Sequence, residues 1–214
     1  MPRIFTIALM CVAVLAEGRG GSITFNFIGT VGQVPIDDFG TGIQSGDAIT
    51  GSFTFDSSVP DAIPDPTSGS YTSTGPAFGM TLTIGPSALM FSESGSLNVG
   101  ILDTFVDQYT VNATAATLAL SFIFQDNSAT AFSGDGLPLS PPLLTDFSQR
   151  DFHLDQTDIG GNETQVDGTI ESLTCGSGCS ATPESSSAVL LFSGLSLLGA
   201  WRVTVNRKRP SRHH

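Results

Sequence analysis

Three carboxylates within ten residues, Asp56, Asp61 and Asp65, follow an apolar alternating run, and a second acidic group, Asp155, Asp158, Asn162, Glu163 and Asp167, lies near the end of the body. Calcium takes six to eight oxygen ligands, often several from one loop, so either group could hold that cation, and the first is the better placed. The same residue types also read as solvated turn residues. The one histidine between residues 20 and 183, His153, sits in Phe152-His153-Leu154, where it is a strand or loop histidine or a lone general base. Cys175 and Cys179 are two soft ligands with no third cysteine and no near histidine, which disfavours zinc and leaves a small-loop disulfide or two free thiols.

The common catalytic signatures are absent from the sequence: no Gly-x-Ser-x-Gly elbow, no His-Glu-x-x-His helix and no phosphate loop. The stretch 155–167 fails the EF-hand pattern, since Ile159 and Val166 stand where oxygen ligands belong. A glycosidase needs two facing carboxylates, and with eighteen acids in the body some pair meets that spacing by chance.

The elements that must position these residues alternate with period two. Residues 23–31, 49–55, 80–84, 97–101, 109–111, 118–124 and 165–173 carry apolar side chains on one face and Thr, Ser or Asn on the other, separated by Gly, Pro, Asp and Ser turns. Such a pattern predicts an all-β body with a Phe-rich interior over residues 17–174. Two sheets packed face to face or an open barrel both satisfy it, and the expectation taken forward is a two-sheet β-sandwich, jelly-roll-like or Ig-like.

Composition narrows the function classes. Charged residues are 13% of the 214, about half the usual ~25% of a soluble domain, and the aromatic set is 15 Phe, 2 Tyr and 1 Trp. Between residues 20 and 183 eighteen acidic side chains face the single Arg150, which excludes nucleic acid as a partner because phosphate binding needs clustered Lys and Arg. The start, Met1-Pro2-Arg3 and an apolar run to Ala16 with small residues at Val14 and Ala16 before Glu17, predicts a signal peptide over 1–16, removed by signal peptidase together with Cys11. Residues 175–187 read as a linker. Residues 188–201 carry no charge, Arg202 can snorkel, and Arg207, Lys208 and Arg209 follow, so the sequence predicts a single C-terminal transmembrane helix over 188–205 and a basic cytoplasmic tail over 206–214.

Pro183 and Glu184, a polar spacer, a short Leu- and Gly-rich span and an Arg-rich end together resemble the PEP-CTERM sorting signal of exported bacterial proteins, over residues 182–209; Ser185 stands where that pattern has a second Pro. The resemblance implies processing by an exosortase, a membrane transpeptidase-like enzyme, for which Pro183, Glu184 and Ser185 are substrate. It also implies release or re-anchoring of the body at the cell surface or in extracellular polysaccharide. The stretch from Gly51 through Tyr71 is similar to bodies that accompany this tail and brings no assigned activity. The expectation is therefore an exported, non-enzymatic surface or extracellular-matrix protein. A carbohydrate-binding module, which needs an exposed aromatic platform, is the first alternative, and a sandwich-fold hydrolase with two carboxylates of unlike environment is the second.

Overall fold

The computed structural model describes residues 21–85, 91–114 and 117–179. Eight strands follow one another: β1 Ser22–Asp37, β2 Ala48–Asp56, β3 Ser68–Ile84, β4 Phe91–Asp103, β5 Asp107–Thr114, β6 Leu118–Asp126, β7 Gln149–Thr157 and β8 Glu163–Ser177, with a single 3-10 turn at Leu144–Asp146. Each strand pairs antiparallel with its sequence neighbours, and β8 pairs back onto β1 from Thr24 opposite Ser177 to Asp37 opposite Thr164.

This closure corrects the expected two-sheet sandwich, jelly-roll-like or Ig-like: the fold is a closed eight-stranded up-and-down barrel. Alternation is the same in both architectures, since each has one apolar face per strand. What differs is whether the first and last strands meet. Here β1 and β3 are 16 and 17 residues long and carry register shifts, four of them between β1 and β8, and these irregularities add the twist and bend that let a sheet curl onto itself. Closure gives each strand two neighbours, although residues 68–74 of β3 pair with β4 alone and residues 33–37 of β1 pair with β8 alone.

Eight strands enclose a space that side chains can just fill, or that holds one small ligand. This barrel is filled. Phe25, Phe27, Phe53, Phe55, Phe122, Phe124 and Phe152 point inward and are buried, with Tyr109, Ile49, Leu82 and Leu154 between them. Phe122 sits among four rings, with centroids 4.7 Å from Phe27, 6.1 Å from Phe53, 6.2 Å from Phe124 and 5.8 Å from Phe152. Gly51 makes room for this packing: a Cβ there would collide with the Phe27 ring and the Thr81 carbonyl.

Among the described residues no helix is long and apolar enough to cross a membrane. The transmembrane helix expected over 188–205 thus has no counterpart in the described structure, and that span lies outside the described residues, as do the signal peptide 1–16 and the basic tail 206–214. The last strand runs to Ser177, past the expected body boundary at 174, so Cys175 belongs to the barrel wall.

Candidate functional site

The two ends of the barrel differ. One carries the connections 38–47 and 158–162. The other carries 57–67, 104–106 and the long connection 127–148 between β6 and β7, and the chain also enters and leaves there. A connection of that length with almost no regular structure of its own is usually either functional or a linker. Two inward-facing acids hold it in place. Asp126 accepts hydrogen bonds from the Ser128 N–H (2.8 Å) and hydroxyl (2.6 Å), the Thr130 N–H (2.8 Å) and hydroxyl (3.1 Å), and the Ala131 N–H (3.2 Å). These donors, the Ser128 hydroxyl first, hold its carboxyl well below the ordinary carboxylate range. Asp107, opposite Asp126 in the β5–β6 register and fully buried, accepts from the Phe132 N–H at 2.8 Å. Its other oxygen and the buried Tyr109 hydroxyl have no partner among the described residues. Burial pushes the Tyr109 phenol well above its ordinary range, so it stays neutral. From β3, the Tyr71 hydroxyl donates to the Asp135 carbonyl at 2.9 Å, and Phe132 and Phe147 pack at tilted angles against Tyr109 and Phe124 respectively and against each other.

The connection is therefore a cap pinned to the barrel floor, and its outer surface forms a groove. One lobe, about 570 Å³, is lined by Phe132, Phe147, Leu143, Pro141, Ser140 and Asp146, among others. A second, about 250 Å³, shares Pro141, Pro142 and Leu143 and continues onto the barrel wall at Arg150, Glu171 and Leu173. Leu143, between the lobes, is 68% exposed. The lining of both lobes mixes polar and apolar surface, and a concavity of that kind can offer a binding site. The larger lobe supplies hydroxyls and one carboxylate beside aromatic and proline surface, a set suited to binding.

On the outer wall, His153 of β7 is clamped between two carboxylates: Nδ1 lies 2.5 Å from Asp167 Oδ1 and Nε2 lies 2.9 Å from Asp155 Oδ2. Carboxylates only accept, so both ring nitrogens donate and the imidazolium is the form that fits. Partial burial works against the cation, but Asp167 and Asp155 outweigh it and raise the His153 pKa above 6.5. For Asp167, burial works upward, and the Gln33 amide (2.8 Å) with His153 brings the net shift below 3.8. The histidine contribution to stability is fully present below about pH 6.5 and is lost as pH rises through the folded value; the Asp167 contribution is present above 3.8 and is lost as pH falls. His153 is 44% exposed, so His153→Gln is expected to cost only about 0–1 kcal/mol at pH 5.5 and less at pH 8. Denaturant unfolding at the two pH values, with an imidazole NMR titration lying above 6.5, checks both signs.

Asp56, Asp61 and Asp65 share the floor end of the barrel but are not drawn into one cluster. Each closes its own turn: Asp56 accepts from Ser58, Asp61 from the Ile63 and Ser70 N–H groups, and Asp65 from Thr67. In the second group Asp158 closes the β7–β8 turn through Gly160 and Asn162, while Asp155 and Asp167 serve His153. Among the described residues no set of three His, Cys, Asp or Glu could hold a metal ion. Cys175 and Cys179 are joined in a disulfide. Tyr71 and Tyr109, the tyrosines a carbohydrate platform would need, are both buried. Pro183, Glu184, Ser185, Arg202, Arg207, Lys208 and Arg209 lie outside the described residues.

The chain matches no family model, no curated protein and no solved structure. The cap and its anchors escaped the sequence reading, although two signals for them are present. Asp107 occupies the inward parity of a strand that continues Tyr109, Val111 and Ala113, so it is an acid on an apolar face. Asp126-Asn-Ser128-Ala-Thr130 spaces hydroxyls where an aspartate at a strand end can gather them.

Proposed function

We propose that this chain is an exported, non-enzymatic surface or extracellular-matrix protein, delivered by an exosortase that acts at Pro183-Glu184-Ser185. The barrel is its rigid body and the cap groove is the body's recognition surface. The observation that carries the reading is the Cys175–Cys179 disulfide, which closes the chain four positions before Pro183. Structural disulfides persist in oxidising, extracytoplasmic compartments. Three further features support the same reading: a basic-apolar start ending at Ala16, a body with eighteen acids and one arginine, and the motif, apolar span and basic end of the tail. A strongly anionic body stays soluble and apart from anionic surfaces.

The test is the size of a C-terminally tagged protein in a host with and without its exosortase. Loss of the tag is expected only where the enzyme is present, and Glu184→Ala is expected to abolish it while leaving the disulfide intact by thiol alkylation and mass. Identical processing in both hosts would refute the sorting reading.

A further inference from the structure

The groove over the cap lies beside the place where the chain leaves the barrel. Its smaller lobe reaches Leu173, two residues before Cys175, which is roughly 7 Å along a strand, and the Cα atoms of Cys175 and Cys179 are 6.1 Å apart. Thirty-five residues follow Cys179, and the first eight, at up to about 3.6 Å each, can span about 29 Å, more than enough to return to either lobe. After them comes the one long uncharged apolar stretch downstream of the body, 188–201, rich in Leu and ending in Trp201.

The charges agree in order as well as in sign. Arg150 lines the lobe nearer the chain exit; among the described residues it is the one lysine or arginine, and no carboxylate among them lies within ion-pair distance of it. Glu184 is the one acidic residue between Cys179 and the C-terminus, and it precedes the apolar stretch. Asp146 lines the far lobe, and Arg202 with Arg207, Lys208 and Arg209 follows the stretch. A chain laid from exit to far lobe thus meets Arg150, with Glu171 beside it accepting from the Thr30 hydroxyl at 2.7 Å, then apolar surface and Asp146, where it carries anion, apolar surface and cation. Pinned by Asp107, Asp126 and Tyr71, the groove is formed in advance, which lowers the ordering cost of filling it.

We propose that, while the tail is attached, residues 188–201 of the same chain seat on the cap groove, with Glu184 at Arg150 and the basic end at Asp146. Seating shelters the most apolar stretch outside the leader and covers the Pro183-Glu184 motif until the tail is drawn away. The inference concerns the tail of the sorting reading but is measured without any processing enzyme, so either can fail alone.

Trp201 is the single tryptophan of the chain and reports the seating directly. In the full chain made in a host without an exosortase, and kept in detergent-free buffer, Trp201 is expected to emit as a buried indole and to resist a soluble quencher independently of protein concentration. Leu143→Asp, at an exposed position that the barrel does not need, is expected to red-shift the emission and raise quenching several-fold. Arg150→Glu should do the same, and the exchange Arg150→Glu with Glu184→Arg should restore the original spectrum. A Trp201 signal that ignores Leu143→Asp, or an exchange that fails to restore it, overturns the proposal. So does burial that grows with concentration, which would mean that tails of different chains associate.

Discussion

Replacing Phe122 by Ala is expected to destabilise the barrel by about 3–5 kcal/mol, the cost of deleting a fully buried phenyl ring whose surroundings cannot collapse. Phe122 is 0% exposed and touches rings from β1, β2, β6 and β7, so the vacated space is walled by several strands at once. Closing the hole would require those strands to move together, and a closed hydrogen-bond circuit resists that. Edge-to-face and stacked partners each contribute about 0.5–1.5 kcal/mol beyond buried area, which places this site toward the upper end. Against a typical total of about 5–15 kcal/mol, the loss is a large share of the fold's stability. The neighbouring Ile123 points outward and is 37% exposed, so Ile123→Ala is expected to stay within about 0.5 kcal/mol. Urea unfolding of the two variants beside the parent measures the difference. Equal midpoints would mean that the inward parity of β6 has been misassigned.

That parity was legible in the residues themselves. The runs 49–55, 80–84, 97–101, 109–111, 118–124 and 165–173 all lie within observed strands, and the Phe-lined interior follows from which residues alternate. Closure was not legible, because alternation records which face is apolar and says nothing about which strand lies next to which. Only the β1–β8 register, with its bulges, separates a barrel from a sandwich. β7 carried a signal too weak to read as a strand: Gln149–Thr157 includes Arg150, Asp151, His153 and Asp155, and only Phe152 and Leu154 are apolar. The acids show the same division. Asp56, Asp61, Asp65 and Asp158 were visible as calcium candidates or solvated turn residues, and the hydrogen bond each accepts from its own turn depends on backbone geometry that residue types do not carry. The His153 clamp needed the pairing of β7 with β8, which places Asp167 opposite His153 from fourteen residues away. The cap groove needed the whole barrel floor, since its anchors come from β3, β5 and β6.

Those turn-closing acids set the second large effect, which is acid unfolding. Asp37, Asp56, Asp61, Asp65, Asp126, Asp158 and Asp167 all have carboxyls lowered below 3.8. In the first six the leading cause is hydrogen bonds from nearby N–H and O–H groups; in Asp167 burial opposes the shift and is outweighed by Gln33 and His153. A group whose folded pKa is depressed contributes stability that is present above its unfolded value and lost as pH falls through the folded one. Stability is therefore expected to hold above pH 4.5 and to drop steeply below about 3.8, with a slope set by the number of protons taken up on unfolding. Asp126→Asn is expected to be less stable near neutrality, because a carboxylate that gathers five donors at the cap is gone, and to lower the acid slope by about one proton. Self-repulsion among eighteen acids pulls the other way, since protonation relieves it. The two effects separate by salt. Repulsion between exposed charges is screened beyond about 8 Å at 0.15 M and about 3 Å at 1 M, whereas a carboxylate in contact with its own turn is not. The acid transition is thus expected to keep its midpoint between 0.15 M and 1 M salt. A barrel that instead gained stability from pH 5 to pH 3 at both salt concentrations would show that its turns do not depend on ionised aspartates.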